Sequence, residues 1–290
     1  MDIRNLFCPH QSFRSAWLLR RLKAQNKIAY KVWWNRFFFN RRVLRPIEQP
    51  EVLRLWALFG AQDEAPDEVR EITNGGPSDK NLSTLENVTS WPVAIEPRYS
   101  LVVAAQAKAV EGLLARLSIR RPFVVIAPGS QWATKRWTAE GFAAVSQATL
   151  GRGLNVYLVG SQKESVACAD VIGLIQSKDR VTNEIRSLAG QTDLFELHAL
   201  MSASEYVVAN DSGSMHMAVA SGRPVVGVFG PTVLAQGYRP WSDRAAVAQI
   251  ALPCRPCGRH GHQQCPIGTH DCMKKLTAEK VLSAIEAVRH

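Results

Sequence analysis

The sequence predicts an α/β protein built on a parallel sheet with helices on both faces. One observation is local. Val207-Val208-Ala209-Asn210 is an apolar strand that runs into Asp211-Ser212-Gly213, and a helix of small residues follows at once. That helix stops at Gly222, Pro224 follows, and Val225 to Phe229 is a new strand. Strand, turn, helix, strand in so few residues is a parallel βαβ unit. A second observation is the rhythm from Pro122 onward, where apolar strand runs alternate with helical stretches, as in sheets covered on both faces. The third is length: 290 residues allow about two domains, each with its own core.

In chain order, Ile3 to Cys8 reads as a strand opening the chain. Ser12 to Lys23 reads as a helix with Ala16, Leu18, Leu19 and Leu22 inward. Ile28 to Trp34 reads as another strand. Trp33-Trp34 and Phe37-Phe38-Phe39 form a dense aromatic patch, suited to a buried core or, more sharply, to lipid or sugar contact. Residues 61–90 are polar, with Pro66 and Gly75-Gly76-Pro77, and read as a long loop. Gln106 to Leu117 is a helix. Beyond it come the strand Phe123–Ala127 and a helix around Phe142–Ala148, capped by Thr138 with Glu140 in its first turn. The strand Leu154–Val159, the helices Lys163–Ile175 and Leu194–Met201, and the strand Tyr206–Ala209 complete the series before Val225–Phe229. No internal repeat of 20–50 residues is visible.

In such sheets ligands bind beyond the carboxyl ends of the strands. Three of those ends carry the relevant chemistry. The first is Pro128-Gly129-Ser130, followed by Lys135-Arg136-Trp137. Gly129 permits close backbone approach, and Lys135 is a mobile point charge suited to a diphosphate. The second is Gly160-Ser161-Gln162. The third is Asp211-Ser212-Gly213 with His216. Helix-start N–H groups there lack intrahelical partners and face an anion. Ser212 and His216, four apart, share a helix face. Taken singly, each has a plain reading: a turn glycine with an exposed lysine, an ordinary turn, a core or surface histidine. Together on one sheet edge they favour a nucleotide-diphosphate site. Neither a Gly-x-Gly-x-x-Gly turn nor a Walker lysine motif occurs, which counts against a dehydrogenase and against a P-loop NTPase.

The net charge of +10 is concentrated: residues 1–60 hold twelve Arg and Lys against three acids. Such a segment suits an anionic partner (nucleic acid, a membrane surface or a phosphorylated glycolipid), or else is a solvated face. No apolar run approaches the roughly 20 residues that span a bilayer. Met1-Asp2-Ile3-Arg4 lacks the shape of a signal peptide, so a cytoplasmic protein is expected, with reduced or metal-bound cysteines. Cys254, Cys257, Cys265 and Cys272 lie within 19 residues, with His260, His262 and His270 interleaved. Structural metal, reducible disulfides and packed free thiols all remain open for them. A zinc-bearing nucleic-acid binder fits poorly: the charge lies far along the chain from the cysteines, and the βα pattern goes unexplained. No nucleic-acid partner is expected.

The ordered series Pro128-Gly129-Ser130, Lys135-Arg136-Trp137, Leu188-Ala189-Gly190-Gln191-Thr192, Asn210 to His216 and Gly227-Val228-Phe229-Gly230-Pro231-Thr232 closely resembles glycosyltransferase family nine, the ADP-heptose:lipopolysaccharide heptosyltransferases. The likeness extends to Pro9–Ser15 and to the cysteine-rich tail. It implies a GT-B architecture of two Rossmann-like domains. Residues 1–118 would be an incomplete acceptor-side domain and residues 119–290 the donor-binding domain. It implies inverting transfer of heptose from ADP-heptose to the lipopolysaccharide inner core, without cofactor or metal. Gly129, Ser130, Lys135, Ser161, Asp211, Ser212, Gly213 and His216 would line the donor site. Lys135 would also act catalytically on the departing diphosphate, together with the helix start at Gly213. Ser12 and Arg14 would belong to the acceptor side, with Arg20, Arg21 and Lys23 near the anionic core and the inner membrane as a peripheral contact.

The family pattern opens with a strand, a Gly-Asp turn carrying the base aspartate, and a helix. This chain begins at what reads as a later strand, so roughly 60–90 residues of the usual pattern are expected to be missing. Either the start is set too late or the protein is truncated. Asp2 lacks the context to replace the base. The alternative to an active transferase is therefore a homologue that binds nucleotide-sugar without transferring it.

Overall fold

The computed structural model describes residues 3–8, 12–44, 107–175, 183–236 and 238–289. They fall into two compact units, one carrying a three-stranded sheet and the other a six-stranded sheet. The predicted loop at 61–90 lies outside the described residues.

In the first unit, β1 (Ile3–Cys8), β2 (Ala24–Tyr30) and β3 (Arg41–Val43) pair in that order, all parallel. Helix α1 (Phe13–Leu19) joins β1 to β2, with the Ser12 hydroxyl accepting from Ser15 N at 3.2 Å. Ala16 is buried with Cys8, Ala29 and Phe39, and Leu19 packs against them. Leu18 and Leu22, expected inward, are 59% and 42% exposed. The predicted strand Ile28–Trp34 instead runs from Ala24 and ends at Tyr30. The buried Asn35 amide donates to Tyr30 O at 2.8 Å, and its oxygen accepts from Val32 N at 3.2 Å, so the backbone turns there. The aromatic patch divides. Phe39 is core, Trp34 and Phe38 pack against Phe13, and Trp33 and Phe37 stand in solvent at 84% and 75% exposure.

The second unit holds β4 (Phe123–Ala127), β5 (Asn155–Leu158), β6 (Ile185–Ser187), β7 (Val207–Asn210), β8 (Val225–Val228) and β9 (Ala245–Ala248). Every pairing is parallel and the order is β6-β5-β4-β7-β8-β9. From β4 the chain winds outward one way through β5 and β6. It then returns beside β4 as β7 and winds the other way. The topological switch point therefore lies between β4 and β7, where open α/β sheets bind ligands.

Its helices are α2 (Ala107–Arg116), α3 (Ala139–Gly151), α4 (Ser165–Gly173), α5 (Leu194–Ser202), α6 (Gly213–Ala220), α7 (Asp271–Lys274) and α8 (Ala278–Arg289). Alternate residues of β4 explain why both faces are covered, since successive strand side chains point to opposite sides. Val124 and Ile126 meet Phe142 of α3, Val171 of α4 and Ile285 of α8. Phe123, Val125 and Ala127 meet Leu114 of α2, Leu200 of α5 and Met215 of α6. Each large apolar side chain fully buried here contributes about 1.5–3 kcal/mol. The register Val125↔Val207 keeps this partition, because a one-residue slip would reverse it.

Thr138 caps α3 as predicted, accepting from Gly141 N at 3.0 Å. The helix expected over Lys163–Ile175 opens as a tight 3-10 turn, Gln162–Glu164, and becomes α-helical only from Ser165 to Gly173. Strands β3, β6 and β9 and helices α7 and α8 have no counterpart in the sequence reading. Helix α2 packs on the second sheet, so a boundary at 118/119 leaves it on the wrong side.

Candidate functional site

Three of the strands that carry the predicted site, β5, β4 and β7, are neighbours in the sheet, so their carboxyl-end turns lie side by side. The turn after β4 is held from within. Asn210, fully buried at the end of β7, donates from Nδ2 to Pro128 O at 2.8 Å and to Gly129 O at 3.3 Å. Its Oδ1 accepts from Trp137 N at 3.0 Å. One amide thus ties both ends of the loop 128–137 to the neighbouring strand. The Trp137 indole N–H donates to Leu276 O at 3.1 Å, and its ring meets Phe142 edge-on.

Within that loop, a 3-10 turn over Ala133–Lys135 turns Lys135 inward. Lys135 is buried, 6% exposed, rather than a mobile surface charge. Its Nζ lies 2.5 Å from Asp211 Oδ2, which also accepts from Thr232 Oγ1 at 2.6 Å. Asp211 N donates to Val228 O at 2.9 Å. The carboxylate is therefore fixed at the end of β7, with a lysine from the β4 loop on one side and a hydroxyl from the β8 loop on the other.

Helix α6 begins immediately beyond. Ser212 is its N-cap in extended backbone, without a side-chain capping bond. The Ser212 hydroxyl oxygen is buried and has no hydrogen-bond partner among the described residues. Leaving a buried hydroxyl unpaired costs about 1–3 kcal/mol, so an orphan at a helix start calls for an external partner. Gly213 is exposed at that start, where backbone N–H groups are free and the helix dipole favours negative charge. His216 lies one turn on. The protein crowded around its ring lowers its pKa from the ordinary 6.5, although the side chain keeps solvent contact; Asp211 acts to raise it and Lys135 to lower it. The ring is thus mainly neutral at pH 7.

That depression sets a pH dependence. The unfolded chain holds the His216 proton more tightly, so this residue's contribution to stability is intact above about pH 6.5 and declines as pH falls. A bound diphosphate would favour the charged ring. ADP binding is therefore expected to draw a proton onto wild-type protein near pH 6. Calorimetry in two buffers of different ionisation enthalpy measures this uptake, and the His216→Gln variant subtracts the phosphate's own titration. Equal uptake by both proteins would refute the assignment.

Ser130 is buried, and its carbonyl accepts from Arg136 Nε at 2.7 Å. Ser161 is exposed, its N–H and hydroxyl both donating to Glu164 Oε2 at 2.7 and 2.8 Å. Glu164 was not foreseen. A Cβ on Gly129 would lie 2.1 Å from Glu164 Oε1, so glycine is what lets that carboxylate cross the β4 turn. Beside it, Arg136, Lys163, Glu164 and Asp170 help line a cavity of about 240 Å³ between α3 and α4. Thr232 and Asn210 were also missed as site residues, though each stands in a quoted motif. A polar residue closing an apolar strand, as Asn210 does, is the signal that could have found it. Ser12 and Arg14 lie in the first unit, Ser12 as the cap of α1 and Arg14 exposed on its first turn.

All six cysteines are free thiols. Among the described residues, no three His, Cys, Asp or Glu side chains are grouped so as to hold a metal ion. Nor, among the described residues, is any helix long and apolar enough to cross a membrane.

A doubly wound parallel sheet with a lysine, a carboxylate, an orphan hydroxyl and a helix start at its switch point defines the class of α/β proteins with an anion-ready crevice. Residues 8–267 match the model of glycosyltransferase family 9 (heptosyltransferase), and the chain belongs to that family. It is 29% identical to lipopolysaccharide heptosyltransferase 2 of Salmonella typhimurium strain LT2 over 173 residues, 59% of this chain and 48% of that protein. It is 31% identical to lipopolysaccharide heptosyltransferase 3 of Escherichia coli K12 over 170 residues, 57% and 46% of the two chains. The chain thus spans about half the length of the curated relatives it matches. The solved E. coli ADP-heptose lipopolysaccharide heptosyltransferase II superposes with a TM-score of 0.70 at 23% identity, covering 98% of this chain and 76% of that one. E. coli heptosyltransferase WaaC with ADP superposes at 0.62, with 16% identity and coverage of 99% and 73%. These likenesses establish the fold as GT-B, with parallel α/β sheets.

Proposed function

We propose that the second unit binds a nucleoside-diphosphate sugar, ADP-heptose, and that the protein transfers heptose to the lipopolysaccharide inner core with inversion. The observation that carries this is the Lys135–Asp211 pair beside the orphan Ser212 hydroxyl, at the switch point of a family 9 chain. Lys135, the α6 N–H groups, Ser212 and His216 offer positive charge and donors to a diphosphate. Gly129, Ser130 and Ser161 form the adjoining turns, and the Glu164 carboxylate that crosses the β4 turn is our candidate acceptor for sugar hydroxyls. In the reaction an acceptor hydroxyl attacks the anomeric carbon while the bond to the diphosphate oxygen breaks and ADP leaves. Lys135 neutralises the leaving group. A carboxylate base must take the hydroxyl proton.

We assign the acceptor to the first unit, with Ser12 and Arg14 as contacts. There Arg20 and Arg21 lie over Trp17, and Arg36 over Phe37. Guanidinium groups on exposed aromatics suit an anionic glycolipid at a membrane surface, and hence a cytoplasmic protein in peripheral contact with the inner membrane. Incubating the chain with ADP-heptose, UDP-glucose and GDP-mannose over lipid-linked inner core tests the whole reading. ADP-heptose is expected to bind in preference to the other two donors, together with salt-sensitive sedimentation on anionic vesicles, and ADP release with ADP-heptose alone would carry the reading through to transfer. ADP binding without transfer would leave the donor site standing and favour the non-catalytic alternative. Failure to bind ADP would overturn both.

A further inference from the structure

The cysteine- and histidine-rich segment before α7 is unused by the chemistry above, yet it grips the site. Thr134 N and Oγ1 lie 3.0 and 2.7 Å from His262 O, and His262 N lies 2.8 Å from Thr134 Oγ1. His270 Nε2 lies 2.8 Å from Thr134 O, a carbonyl, so this nitrogen is the donor. Gln263 reaches the same loop, donating to Gln131 O at 3.2 Å. Gly261 is buried with φ +86°, and a Cβ there would lie 3.0 Å from Thr134 Oγ1 and 3.4 Å from Lys135 Cγ. The segment therefore runs close beside the stem of Lys135, with no room for a side chain between them. On its other side it holds the β8 loop: Cys257 N donates to Pro231 O at 2.8 Å and Arg255 to Thr232 O at 2.6 Å. Both neighbours that meet Asp211 Oδ2, Lys135 and Thr232, are thus braced by one stretch of chain, residues 255–270. The His270 end is itself anchored, its N–H donating to Cys265 Sγ at 3.3 Å.

We infer that residues 255–270 form a brace that sets the position of Lys135, with His270 and Thr134 as positioning residues for diphosphate binding. This rests on the donor-site reading above, and it adds what holds the charge in place. A lysine side chain has four rotatable bonds. Its contribution to affinity depends on its ammonium being held where the phosphate arrives, since side-chain ordering at binding otherwise costs affinity.

The test is a double-mutant cycle in the full chain, read by calorimetric titration with ADP. His270→Phe keeps a ring and loses the donor; it is expected to weaken ADP binding about three- to tenfold. His270→Gln retains an amide donor and should recover most of the loss. In a Lys135→Ala background, His270→Phe should change affinity less than twofold, because residues that act through one another are not additive. Thr134→Val, which loses only the hydroxyl link to His262, gives an independent arm if His270→Phe does not fold. Equal effects with and without Lys135 would show a general structural role and overturn the inference, as would wild-type affinity in both His270→Phe and Thr134→Val. If Lys135→Ala itself binds ADP normally, the donor-site reading fails instead.

Discussion

Replacing Asp211 with Ala is expected to destabilise the second unit by about 3–5 kcal/mol, because it takes the carboxylate away from a buried ammonium. The side chains of Lys135 and Asp211 are only 8% and 3% exposed, so solvent does not take over the lost partner. The change also strips Thr232 Oγ1 of its acceptor in a fully buried position. For a unit of this size the melting temperature should fall by roughly 6–20 °C, at 2–4 °C per kcal/mol. Asp211→Asn is expected to lose less, since an amide oxygen can still accept from Thr232 while the charge is gone. Thermal unfolding followed by circular dichroism compares the three proteins. A fall under about 2 °C for Asp211→Ala would mean that the pair is solvated, and the site would need rebuilding on other residues. With total stabilities of about 5–15 kcal/mol, the loss is a large share of what holds the unit folded.

How much of this was legible in the sequence depends on which forces act locally. The strand Phe123–Ala127 and the cap at Thr138 were readable because periodicity and capping are nearest-neighbour properties. So were the three turns and their common edge, which follow from βα alternation alone. Strand β9 was not, because Ala245-Ala246-Val247-Ala248 has helical propensity and becomes a strand only by pairing with β8. Strand β6 is three residues at the sheet edge, where pairing with β5 outweighs its weak pattern. Leu18 and Leu22 fit a helical stripe, but α1 ends at Leu19 and only Ala16 is fully buried on it. In the site, residue types were visible and their pairings were not. Lys135 and Asp211 are 76 positions apart and meet only because β4 and β7 are neighbours. The brace from residues 255–270 was hidden for the same reason: its bonds to Thr134 join groups 128 and 136 positions apart, so no motif announces them.

Lys135→Ala should separate affinity from stability. The ammonium pairs with Asp211, which directly precedes Ser212 and the start of α6, and a charge-assisted bond to phosphate is worth about 1.5–3 kcal/mol. ADP affinity should therefore fall about ten- to hundredfold, at 1.4 kcal/mol for each factor of ten. Stability should fall as well, since Asp211 then loses its lysine partner, so titrations belong well below the variant's melting temperature. Lys135→Arg is not expected to rescue binding. The planar guanidinium is larger and would have to fit a buried site beside Gly261, where even a Cβ would lie 3.4 Å from the side-chain stem. At pH 7 and above His216→Ala should cost less, a few-fold, because the ring is neutral in the free protein and part of its contact with the diphosphate goes into taking up a proton. The order Lys135→Ala over His216→Ala over wild type in ADP dissociation constant is thus fixed by charge and burial. Unchanged affinity in both variants would remove the diphosphate from this crevice.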